Sequence, residues 1–78
     1  MITQKNSIEN SNETLLVNGL KYEYQPPMNV LNLLRYFGFN THIIVVDYNG
    51  TILSKSKWQK TNLRRNDSLE ILTVAGGG

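Results

Sequence analysis

The sequence contains no cysteine. That removes disulfides, thiolate metal sites and a cysteine nucleophile together. It fits a reducing compartment, although absence of cysteine is weak support for one. Histidine occurs once, at His42, so a single chain can build neither a histidine metal cluster nor a Ser-His-Asp triad. No apolar run approaches the roughly 20 residues that cross a bilayer. The first residues lack the apolar stretch of a signal peptide, and Glu9 and Glu13 do not suit an Arg-rich, acid-poor transit peptide. Charge of one sign is also scarce. A net charge of +2 over 78 residues does not on its own indicate nucleic acid. Neither GxGxxG nor GxxxxGK[ST] is present, and the closing glycines have no following helix to offer amides to a phosphate. Asp47, Asp67, Glu23 and Glu70 fall on separate elements, and each reads as a turn or solvent-facing residue rather than half of a carboxylate pair. The inventory predicts no catalytic residue and no metal site.

What remains is a pattern of short elements. Residues 1–13 are polar and aperiodic and read as a flexible leader. Leu15-Leu16-Val17 and Leu20-Lys21-Tyr22-Glu23-Tyr24 flank Asn18-Gly19, the strongest short hairpin signal, because both central positions of a type I′ turn need positive φ. In the second strand Leu20, Tyr22 and Tyr24 alternate with Lys21 and Glu23, which predicts one buried and one wet face. Pro26-Pro27 ends the hairpin. Asn29 is a fitting N-cap for an amphipathic helix of about three turns carrying Val30, Leu31, Leu33, Leu34 and Phe37, with Gly38 at the left-handed C-terminal position. Ile43-Ile44-Val45-Val46 predicts a strand buried on both faces. Asn49-Gly50 is a second turn, Thr51-Ile52-Leu53 a short return strand, and Leu69 to Val74 the last strand. One helix covers one face of such a sheet. The expected fold is therefore a two-layer α+β domain over residues 14–75, a mixed sheet of four to five strands with one helix packed on it.

Two features call for a function. The segment Ser54 to Arg65 carries Lys55, Lys57, Lys60, Arg64 and Arg65 around Trp58. It reads as a solvated face, as a dock for an acidic protein surface, or as a phosphate-contacting patch. With one aromatic that is better used as a plug over the core, nucleic acid is the weakest of the three. The other feature is the ending, "LTVAGGG". Glycine loses more backbone entropy on ordering than any other residue, so a terminal run does not serve packing. Without Cβ atoms such a segment can enter a narrow channel, and its last carbonyl is unhindered. An ionised carboxylate is a poor electrophile and needs activation, for instance as an acyl-adenylate. Residues 76–78 thus read as a flexible handle offered to another enzyme's active site, with a tag scar or chance ending as the alternative.

Together these residues resemble the ThiS family, the ubiquitin-like β-grasp sulfur carriers of thiamine biosynthesis. The matching stretches are "VNG" (17–19), "NVLNLL" (29–34), "IIVVDYNGTIL" (43–53), Trp58 and the ending "NDSLEILTVAGGG". The resemblance covers residues 14–78. The chain departs from the family in its polar leader and in "SKSKWQK", where a Pro-Arg or acidic version is more usual. The resemblance implies a carrier rather than an enzyme. A ThiF-type adenylyltransferase would use ATP and Mg²⁺ to adenylate the carboxylate of Gly78. Sulfur from a persulfide, supplied by a cysteine desulfurase or similar donor, would give a thiocarboxylate, and a ThiG-type thiazole synthase would consume it. Gly76 and Gly77 would enter the partner active sites, and Lys55, Lys57, Lys60, Arg64 and Arg65 are candidate docking residues. The carrier would bind no cofactor itself and be a monomer when free. Rival readings are the molybdopterin synthase small subunit, a ubiquitin-related modifier, a small basic RNA-binding module and an inert interaction domain. Frequent Asn, Ile, Lys and Tyr hint at an AT-rich coding genome, so the expected location is the cytoplasm, or the plastid stroma if the gene is plastid-encoded.

Overall fold

A computed structural model describes residues 12–74. The expected leader up to residue 11 and the expected tail, residues 76–78, lie outside the described residues, as does Ala75. Five strands and one α-helix follow in the order β1 (Glu13–Val17), β2 (Leu20–Tyr24), α1 (Val30–Tyr36), β3 (Ile44–Tyr48), β4 (Thr51–Leu53), a 3-10 turn (Lys55–Lys57) and β5 (Ser68–Thr73). The sheet order is β2-β1-β5-β3-β4. β5 lies at its centre, parallel to β1 and antiparallel to β3, while both hairpins are antiparallel. This is the mixed sheet and single helix of the ubiquitin-like β-grasp fold.

Both Asn-Gly pairs form the expected turns. Asn18 and Gly19 have φ of 52° and 83°, and Asn49 and Gly50 have 53° and 91°. That double positive φ matches the right-handed twist of the flanking strands. The turns also have a second use. Asn18 Oδ1 accepts from the Ile71 amide and Asn49 Oδ1 accepts from the Ser68 amide, each at 2.7 Å. β1 is in register with β5 at Leu16↔Ser68 and Val17↔Leu69, so the amide of Ile71 would face an empty edge without Asn18. The two turn asparagines clamp the central strand from both sides.

The helix is capped as expected. The Asn29 side chain accepts from the Asn32 amide at 2.7 Å, and Asn32 returns the bond in a capping box. Gly38 takes φ of 80°. The helix is shorter than expected, 7 residues, or about two turns. Phe37 is its C-cap rather than a member of its apolar stripe. There it packs edge-on against Tyr22, ring centroids 4.9 Å apart.

Val30, Leu33 and Leu34 of the helix meet Leu15, Val17, Val46, Leu69 and Ile71 of the sheet, closed by Trp58 and Leu63. Trp58 is a core plug, its indole Nε1 donating to the Leu53 carbonyl at 3.0 Å. Two burial expectations change. In β2 only Tyr24 is buried, and Leu20 and Tyr22 are exposed. β2 is an edge strand, and the short helix does not reach across it. β3 buries Ile44 and Val46 but leaves Val45 half-open. With a single helix, nothing among the described residues is laid on the sheet's second face.

Candidate functional site

The uncovered face of the sheet carries the side chains that alternate with the core set. Val45 stands directly opposite Leu72, and Val74 bonds its amide to the Ile43 carbonyl at 2.7 Å. Ile43, Val45, Leu72 and Val74 therefore form one apolar patch across β3 and β5, with Ile52 beyond on β4. Leu72, Val74 and Ile52 are 53%, 47% and 59% exposed. The patch adjoins the point where the chain leaves β5 toward Gly78. Next to it the sheet sets Asp47 directly opposite Glu70. The two carboxylates lie on separate elements, as expected, but β3 and β5 are neighbours in the sheet and bring their positions side by side. Like charges placed directly opposite are unfavourable within a sheet.

The basic residues have different neighbours. Lys55 lies over the Trp58 ring, its Nζ 5.8 Å from the centroid. Lys57 is on the same 3-10 turn. Arg65 pairs with Glu13 at 3.6 Å, an exposed contact of small energy. Lys60 and Arg64 line a cavity at the far end of the molecule. Trp58 is buried, so the stacking residue that an RNA-binding reading needs is not available.

Asp67 sits at the turn its sequence suggests, its amide donating to the Arg64 carbonyl at 3.1 Å, but its burial departs from expectation. It is 7% exposed, not solvent-facing. Its Oδ2 accepts from the Tyr48 hydroxyl at 2.5 Å and the Arg64 amide at 2.7 Å, and its Oδ1 accepts from Asn49 Nδ2 at 3.0 Å. The carboxylate thereby ties the β3–β4 turn to the loop that feeds β5. Burial, then the hydrogen bond and charge of Asp67, push the Tyr48 hydroxyl up to about 12, with Arg64 pulling weakly the other way. A raised phenol keeps its proton in the fold. The stability it contributes is complete below the ordinary tyrosine value of 10 and is lost as pH rises toward 12. We expect Tyr48 to ionise late in an absorbance titration, beside Tyr24, whose hydroxyl burial also pushes up, and unfolding to become easier over that window. Tyr48→Phe should remove the Tyr48 share of both effects, and an unchanged titration curve in that variant would contradict the assignment.

Among the described residues no group of three or more His, Cys, Asp or Glu side chains could hold a metal. His42 is exposed, and its backbone amide donates to Asn40 Oδ1. No helix among the described residues is long and apolar enough to cross a membrane.

Comparison with known proteins points to one family. The ThiS family model matches residues 15–78. The chain belongs to the ThiS family. The match runs through the whole glycine ending. The chain is 39% identical over 66 residues to a Trieres chinensis protein named uncharacterized protein ycf40, covering 85% of this chain and 90% of that one. A ycf40 protein of Porphyra purpurea is 32% identical over 69 residues, covering 88% and 97%. The crystal structure of the thiamine biosynthesis protein ThiS from Geobacter metallireducens superposes with a TM-score of 0.73 at 28% identity, covering 83% of this chain and 99% of that one. Membership in the ThiS family supports a sulfur-carrier-type role.

Proposed function

We propose that the protein carries sulfur for thiazole formation in thiamine biosynthesis, with the carboxylate of Gly78 as its reactive group. The observation that carries this reading is the family match extending through residue 78. In the proposed cycle a ThiF-type adenylyltransferase binds ATP and Mg²⁺. The Gly78 carboxylate attacks the α-phosphate, pyrophosphate leaves, and an acyl-adenylate forms. The terminal sulfur of a donor persulfide then attacks the acyl carbon and displaces AMP. A thiol cleaves the remaining S–S bond and leaves the thiocarboxylate. A ThiG-type synthase takes this sulfur. The carrier supplies no acid, base or metal to these steps. It supplies a narrow end and a surface that positions it, and Gly76 and Gly77 form the part that enters the partner's channel. The place of action is the cytoplasm, or the plastid stroma for a plastid-encoded chain.

The apolar patch supports the docking half of the reading. Large exposed apolar groups grouped on one sheet face mark interaction surfaces more often than scattered ones do. The facing carboxylates Asp47 and Glu70 suit a partner that brings a cation beside its apolar contact. Glu70→Gln tests this with two readouts of opposite sign. Removing the like-charge neighbour should stabilise the fold by about 0.2–1 kcal/mol. The same change should weaken binding to the adenylyltransferase. Leu72→Ser should weaken it further, by about tenfold or more, with little effect on folding. Binding unchanged in both variants would place the docking surface elsewhere. The function itself is tested by ATP–pyrophosphate exchange with a ThiF-type enzyme. Exchange that requires this protein supports the reading, and exchange indifferent to it does not.

A further inference from the structure

The cavity that holds Lys60 and Arg64 lies at the opposite end of the sheet from the chain's exit. Asp67, in its wall, precedes β5 and Val74 follows it, so the 6-residue strand separates the two ends by about 20 Å. The cavity also opens on the helix side, since Tyr48 of its wall shares the inward face with Val46. A partner seated on the outer sheet face beside the exit would leave it uncovered.

The cavity has a volume of about 500 Å³. Its one acidic wall residue is already committed, because both oxygens of Asp67 accept hydrogen bonds from Tyr48, Asn49 and the Arg64 backbone. The Asn49 side chain is spent on Asp67 and Ser68, and the Thr61 hydroxyl donates to the Lys57 carbonyl. The donors left over are the Lys60 ammonium, the Arg64 guanidinium and the Asn62 amide. Among the described residues neither Lys60 nor Arg64 has an ion-pair partner. A guanidinium fork, a point charge and a neutral amide in the wall of one cavity, set against the single committed carboxylate of Asp67, leave a net positive charge that suits an oxyanion. A phosphate monoester carries about −1.5 to −2 at neutral pH.

The geometry points to a binding site for a small phosphate monoester, held by Lys60 and Arg64 with Asn62 as the neutral donor. A cavity of about 500 Å³ exceeds a bare phosphate and leaves room for the organic part of the ligand. The site is independent of the glycine end and of the sulfur cycle proposed for it.

The test is an amide NMR titration of the full chain with inorganic phosphate, a 5′-nucleoside monophosphate and chloride at constant ionic strength. Saturable shifts at residues 61–64 are expected with both phosphates, tighter for the nucleotide and absent with chloride. Lys60→Gln and Arg64→Gln should each weaken binding by about tenfold, and Arg64→Lys, which keeps the charge and loses the fork, by less. Both side chains are exposed, so the variants should fold, with the resonances of Val46 and Leu69 as the check. Shifts that never saturate, that chloride reproduces, that survive in the glutamine variants, or that inorganic phosphate produces as tightly as the nucleotide would each overturn the proposal.

Discussion

Removing Gly78 should abolish the proposed adenylation of this protein while its head stays folded. In the proposed cycle the attacking atom is a terminal carboxylate oxygen, and adenylyl transfer from ATP tolerates little error in its position. A misplacement of about 1 Å can cost on the order of 10²-fold in rate. Loss of one residue at the end withdraws the carboxylate by up to about 3.5 Å, so the expected loss is at least that large. Gly77→Trp should be equally damaging for a different reason. The carboxylate remains at the right distance, but an indole cannot follow a path cut for a chain without side chains. Neither change touches the core, which is built from residues 15–71. Circular dichroism and the unfolding midpoint should therefore be unchanged. An end-deleted protein that still supports pyrophosphate exchange would contradict the handle reading.

Asp67→Ala should be the most damaging single substitution for stability outside the apolar core. The carboxylate accepts from Tyr48, Asn49 and the Arg64 amide at once. Truncation leaves three donors without an acceptor, two of them on the β3–β4 turn and its approach. An unsatisfied buried polar group costs about 1–3 kcal/mol. The three donors are only part-buried and water can reach some of them, so a total of roughly 1–3 kcal/mol is expected. A small domain is stable by roughly 5–15 kcal/mol, so the urea midpoint should fall measurably. Asp67→Asn keeps the shape and one good acceptor, and should cost less than the alanine change. Tyr48→Phe combined with Asp67→Ala should cost less than the sum of the two singles, because they share a bond. A loss under about 1 kcal/mol in Asp67→Ala would show that the hub does not hold the turn.

The hub also marks where sequence reading stops. Asn18-Gly19 and Asn49-Gly50 were legible because a tight turn imposes φ on its own residues, and Asn and Gly are the residues that accept positive values. Asn29 and Gly38 were legible for the same local reason, since caps are decided within one turn of chain. Asp67 was not. Its hydrogen-bonding side-chain partners are Tyr48 and Asn49, 19 and 18 residues away, and a lone Asp beside a turn looks solvent-facing until the fold closes over it. The clamp from Asn18 to Ile71 spans 53 residues and has no sequence signal beyond the turn itself.

The candidate site divides in the same way. That an apolar face near the last strand is left over follows from counting layers: one helix covers one face. Which residues stand on it depends on register, and a shift of one residue exchanges the two faces. The pairing of Val45 with Leu72 and of Asp47 with Glu70 settles it. Alternation alone misassigned β2, because Leu20 and Tyr22 face inward at an edge the two-turn helix does not cover. The basic run was legible as composition but not as a surface. The chain sends Lys55 to Trp58, Arg65 to Glu13, and Lys60 and Arg64 to a cavity of their own.

The central claim is that Gly78 carries the sulfur, and intact mass of the C-terminal fragment tests it most directly. The full chain is incubated with ATP, Mg²⁺, a ThiF-type adenylyltransferase and a persulfide donor, then cleaved and weighed. The account predicts exchange of one oxygen for one sulfur on the fragment that ends at Gly78, dependent on ATP and absent from the chain lacking that residue. A terminal fragment of unchanged mass under conditions that convert a known carrier, or sulfur found on any other fragment, would contradict it.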